Sequence, residues 1–149
     1  MNRDEAINLS NKLKFSRKEA REFAMQTVFQ MEAQKELEAD KLKRYLNGKA
    51  FGAQTAYVNA VLSRLLENIE YVNAAINKAS DGWSTDRMAK PDLAVIRIAV
   101  SEMMYMDDIP NSVAINEAVS LSKLYGTEQS PRFVNAVLGK IQKDITRDE

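Results

Sequence analysis

The chain has 149 residues, with 21 lysines and arginines against 21 aspartates and glutamates, and it contains neither cysteine nor histidine. The length suits one domain, or two tightly packed subdomains, with a real core, and the balanced net charge names no partner by itself. The missing residue types exclude disulfides, thiol chemistry, zinc held by sulfur or imidazole, and the usual neutral-pH proton shuttle.

The opening MNRDEAINLSNKLKF lacks the apolar segment of a secretory signal, and no apolar run approaches the ~18 residues of a membrane span. A soluble, cytoplasmic protein without membrane contact is expected. Residues 1–15 read as a polar, amphipathic extension (Ile7, Leu9, Leu13) whose order the sequence leaves open. Ser16 and Glu19 then have the spacing of a capping box, in which each side chain satisfies an orphan amide of the other residue. A helix is predicted from about 17 to 35, with Ala20, Phe23, Ala24, Thr27, Val28 and Met31 on one arc. Met25 and Phe29 carry the apolar surface further round.

A shorter helix is predicted near 37–46, ending at Asn47-Gly48. Residues 53–79 read as helical, the last third following a bend, and Ser80-Asp81-Gly82 stops the pattern. That stop separates two helical halves, an N-terminal subdomain of about 16–80 and a C-terminal one of about 83–147. The second half opens with a short helix at Trp83–Met88 capped by Ser84. Pro91 fits the first turn of the next helix, whose residues Leu93 to Met106 are apolar nearly all round and so belong in the middle of the fold. Arg97 on that helix is expected to pair with a carboxylate, Glu117. Ser112 is read as the cap of the following helix, and Gly126 as its C-terminal stop. The last helix runs from Ser130-Pro131 to about 146. No strand-like alternation occurs, and the fold class is all α.

Charge is unevenly placed. Lys12, Lys14, Arg17, Lys18 and Arg21 cluster around a single acid, Glu19. Bases at a helix start oppose the helix dipole, so the run is either a solvated face or a grip for phosphate. On the last helix Phe133, Val134, Val137, Leu138, Ile141 and Ile145 share a core face, while Arg132, Ala136, Gly139 and Lys143 lie opposite. Thr127, Glu128 and Gln129 precede it as polar groups suited to base edges. Phe133 is either a core anchor or a stacking platform. No nucleophile, base and oxyanion donors assemble into a catalytic set, so an enzyme is not expected, and neither a metal site nor a cofactor is indicated.

Five phrases, in order, resemble the NusB family of bacterial transcription antitermination factors: SRKEAREFAMQ from Ser16, WSTDRM from Trp83, PDLAVIRIA from Pro91, VAINEAV from Val113 and SPRFVNAVL from Ser130. The resemblance spans about 16–143. It implies two small helical bundles packed together, and binding of the boxA element of ribosomal RNA leader transcripts with NusE, a small-subunit ribosomal protein. That assembly would join the RNA polymerase antitermination complex. Carried onto matching positions, the family's RNA surface falls on Arg17, Lys18, Arg21, Gln129, Ser130, Arg132 and Phe133, the same two places the charge pattern picks out. The resemblance allows a monomer or a homodimer. Three departures stand out: Glu19 within the basic run, Ala136 where the family favours glycine, and the extension over 1–14. The alternative function is a helical protein-interaction scaffold of the same fold without specific RNA binding.

Overall fold

A computed structural model describes residues 1–6 and 15–148, and among them the chain is helical with no strand. The expected extension residues Ile7, Leu9, Lys12, Leu13 and Lys14 lie outside the described residues.

Helix α1 spans Arg17–Ala33 and begins on the predicted capping box. The Glu19 amide donates to Ser16 Oγ at 3.0 Å, and the Ser16 amide donates to Glu19 Oε1 at 3.2 Å. A cap of this kind contributes about 1 kcal/mol. Lys35, at φ +57°, turns the chain out of the helix. The predicted helix at 37–46 is instead a 3₁₀ turn (Ala39–Lys41) leading into the five-residue α2, Leu42–Leu46.

The helical run over 53–79 divides, at the expected bend, into α3 (Thr55–Glu67) and α4 (Ile69–Ala79). Asn68 makes the break. Its backbone leaves the helical region, and its side-chain amide donates to the Arg64 carbonyl at 2.7 Å, a local bond that competes with helix continuation. Asp81 and Gly82 then take positive φ values of 48° and 91°, which reverse the chain.

The segment Thr85–Arg87 is a 3₁₀ turn, and Ser84 does not cap it through its side chain. The Arg87 amide donates to the Ser84 carbonyl at 3.0 Å, and the Thr85 amide is anchored separately on Asn77 Oδ1 at 2.8 Å. Helix α5, Lys90–Tyr105, carries Pro91 in its first turn as expected. Helix α6, Asn111–Tyr125, follows Pro110, and Ser112 lies exposed within its first turn rather than capping it. Helix α7 runs from Ser130 to Asp148.

Every residue from Asp92 to Met103 on α5 is buried, because the helix is wrapped by α1 and α3 on one side and by α6 and α7 on the other. The buried apolar residues of both halves form one continuous cluster around it, including Val28, Leu62, Ile76, Leu93, Ile96 and Leu138. Each such side chain contributes about 1.5–3 kcal/mol through removal from water.

Two ion pairs tie α1 to α5. Arg21 meets Glu102 at 3.0 Å, and Glu32 meets Arg97 at 3.0 Å, with Lys90 at 4.0 Å from the same carboxylate. Arg97 Nε also donates to Asn73 Oδ1 on α4 at 3.1 Å. The expected partner Glu117 is therefore replaced by Glu32. The reason is topological: α1 and α5 run in opposite senses, which brings the end of α1 past Arg97, while Glu117 lends its charge to Arg21. The two bridges have opposite polarity, arginine from α1 in one and arginine from α5 in the other.

Candidate nucleic-acid interface

Glu19 is held in the capping box and, among the described residues, forms no ion pair with the bases beside it. Lys18 is exposed, and no carboxylate lies within ion-pair distance of it among the described residues. Arg17 is half-buried and held from outside its own helix. Its Nε donates to Gln54 Oε1 at 2.5 Å, and its guanidinium lies over the Tyr57 ring, 4.3 Å from the centroid. A cation fixed in this way has less conformational freedom to lose when it meets an anion.

Arg21 differs from the sequence expectation. It points inward, only 6% exposed, because Glu102 lies buried on the facing helix. Its Nε and Nη2 reach the two carboxylate oxygens at 3.0–3.2 Å, a forked arrangement. Burial alone works against the Arg21 charge, but the hydrogen bonds and charge of Glu102 outweigh it and hold the pKa above the usual arginine value. The Tyr57 hydroxyl donates to Glu102 Oε2 at 2.8 Å. Burial first, then the adjacent carboxylate, pushes the Tyr57 pKa far above the ordinary tyrosine range. Tyr57 is thus the platform that joins the surface cation Arg17 to the internal pair.

The second predicted place is the loop between α6 and α7. Gly126 has extended backbone, φ −101° and ψ −163°, rather than a left-handed cap. It is required for space: a Cβ there would sit 2.3 Å from Ser130 Oγ and 2.8 Å from Asp92 Oδ1. Ser130, read as a contact residue, is buried. Its Oγ accepts from the Thr127 amide at 2.9 Å and so shapes the loop. Gln129 and Arg132 are exposed, and Phe133 is half-buried against the core.

These two places adjoin. Tyr125, the last residue of α6, donates its hydroxyl hydrogen to Glu22 on α1 and accepts from Gln26 Nε2 at 2.7 Å. The second and third turns of α1 and the end of α6, from which the 126–129 loop departs, are therefore tied together. Sequence reasoning missed Gln54, Tyr57 and Tyr125, whose contacts span 37 to 103 residues and leave no local pattern. It also gave Trp83 no role at a site, although the indole is 56% exposed. Trp83 lines a cleft of about 290 Å³ with Arg87, Met88, Asp92, Gln129 and Phe133.

Known proteins share this fold. The sequence profile of the NusB family matches residues 18–143. The transcription antitermination protein NusB of Alkaliphilus oremlandii (strain OhILAs) is 40% identical over 126 residues, covering 84% of this chain and 91% of that protein. A solved structure of T. maritima NusB superposes with a TM-score of 0.78 at 28% identity, covering 87% of this chain and 92% of its own. The antitermination factors NusB and NusE in complex with dsRNA provide a further chain of the same fold, with a TM-score of 0.67 at 22% identity, over 86% of this chain and 96% of that one. With the profile running from the basic turn of α1 through the core of α7, the chain belongs to the NusB family.

Proposed function

We propose that this chain is an RNA-binding transcription antitermination factor that recognises the boxA element of ribosomal RNA leader transcripts together with NusE. It acts in the cytoplasm, within the antitermination complex on RNA polymerase. The observation that carries this reading is the Tyr125 bridge to Glu22 and Gln26, which sets the cations of α1 beside the polar and aromatic loop. Arg17, Lys18 and Arg132 address phosphates; Gln129 meets base edges; Phe133 offers a ring for stacking. Arg21 and Ser130, both buried, act by holding α1 and the loop in place. Family membership supports the reading, as does the shared fold with a chain from a NusB–NusE–dsRNA complex.

The test is binding of labelled boxA RNA and a scrambled control, with and without NusE, at two salt concentrations. The expected result is a preference for boxA that strengthens with NusE, and an affinity that falls as salt rises. Equal binding of both RNAs, with NusE still bound, would overturn the boxA assignment and leave a protein-interaction scaffold.

A further inference from the structure

Trp83 is the only tryptophan of the chain, and more than half of its surface faces solvent. A ring so placed contributes little to the core, and what sets it apart is the cleft it borders together with Phe133 and Arg87. Its backbone is fixed nonetheless. The Trp83 amide donates to the Ser80 carbonyl at 3.1 Å, and Ser80 Oγ donates to the Trp83 carbonyl. The chain reversal at Asp81 and Gly82 lies between these contacts, and the Thr85 amide is anchored on Asn77 immediately after. The ring is therefore presented from a tied turn rather than from a loose linker.

The surroundings have one chemistry. Phe133 borders the same cleft, and Arg87 brings a cation for which no carboxylate lies within ion-pair distance among the described residues. Asp92, also at the cleft, is 8% exposed and its Oδ1 has no hydrogen-bond donor. Two aromatic rings and a cation suit a flat ring joined to a phosphate, while the Asp92 oxygen is enclosed beside Gly126 and Ser130. At about 290 Å³ the cleft lies at the small end of ligand sites, the size of a single ring system.

We infer that the cleft between Trp83 and Phe133 takes one unpaired nucleobase of the bound RNA, with Trp83 as its stacking surface and Arg87 on the adjoining phosphate. This rests on the RNA-binding reading and extends its footprint from α7 to the turn that joins the two halves of the chain.

The lone indole reports on its own occupancy. Single-stranded boxA RNA carrying an end label is titrated against the full chain while label anisotropy and tryptophan emission are read together. Stacking predicts that emission is quenched in step with anisotropy, and that one abasic nucleotide, moved along the oligonucleotide, abolishes the quench at one position only. Trp83→Ala should weaken binding about tenfold and Trp83→Phe much less, both with an unchanged melting temperature. Binding by anisotropy with constant emission, and with Trp83→Ala as tight as the parent, would overturn the inference. Quenching by NusE in the absence of RNA would overturn it too, by giving the cleft to a protein. No binding of any RNA would instead remove the functional reading on which it rests.

Discussion

Arg21 and Glu102 lock α1 to α5 through a fork in which both carboxylate oxygens accept from one guanidinium. The pair is enclosed, and Tyr57 closes the remaining side of the carboxylate. Arg21→Ala leaves an uncompensated buried charge, and the expected loss is about 3–5 kcal/mol of folding stability. Chemical denaturation should show it as a lowered midpoint. The double change Arg21→Met with Glu102→Leu should recover most of the loss, since neither charge then remains. RNA affinity of the double variant should stay near that of the parent; a large drop would return Arg21 to the contact surface.

Tyr57 sets an upper pH limit. Its folded pKa is raised, so the folded chain keeps the phenol proton where the unfolded chain gives it up near pH ~10. The sign is then fixed: this contribution is complete below about pH 10 and is lost above it, at up to about 1.4 kcal/mol per pH unit. Unfolding free energies of the parent and of Tyr57→Phe, compared between about pH 9 and 11, should converge as pH rises. A constant difference would show that the buried phenol does not control this loss.

Arg17 and Lys18 should behave differently from Arg21. On the proposed reading, alanine at either position should remove one phosphate contact, weaken boxA and scrambled RNA alike, and lower the slope of log affinity against log salt by about 0.7. Melting temperatures should change little, because neither residue belongs to the core. Gln54→Ala, which frees Arg17 without removing its charge, should weaken binding less than Arg17→Ala and leave the salt slope intact. Isothermal titration over a salt series separates the two.

Gly126→Ala tests the loop. The added methyl would collide with Ser130 and Asp92, and one or the other must move. A cost of about 1–3 kcal/mol is expected. Because Ser130 begins α7 and accepts from the Thr127 amide, the displacement should also lower RNA affinity through Gln129, Arg132 and Phe133. Stability and affinity measured on the same sample would show the two losses together. A stable variant with unaltered binding would mean that the loop geometry is not needed.

Much of the fold is legible in the sequence because it is written in local periodicity. The Ser16–Glu19 box, the all-round apolar α5 and the core face of α7 each follow from residues a turn or two apart. Two local features have local causes. Asn68 makes the expected bend in the 53–79 run because its amide takes the Arg64 carbonyl, whereas Ser84 fails as a side-chain cap and the Arg87 amide donates to its backbone carbonyl. The rest depends on distance along the chain. Nothing around Arg21 distinguishes it from Arg17; only Glu102, 81 residues later, turns one inward and leaves the other at the surface. Phe29 looked like an extension of the α1 core face, yet it is 41% exposed. Gly126 was read as a stop for its conformational freedom, whereas its neighbours require its small size. The candidate surface is thus half legible: the cations and the loop are visible as charge and polarity, while Gln54, Tyr57, Tyr125 and Trp83 become apparent only when the chain is folded.

The two bridges between α1 and α5 have one more consequence. Because their polarities are reversed, sliding α1 by a helical turn, or turning it end for end, would separate both pairs or bring like charges together. The start of α1 is therefore held in register on α5, and Tyr125 ties the end of α6, where the α6–α7 loop begins, to the same helix. For a strand laid across both, the protein is a ruler with two fixed marks. One nucleotide inserted between the segments that touch those marks would throw the second out of step, however well each segment matched on its own.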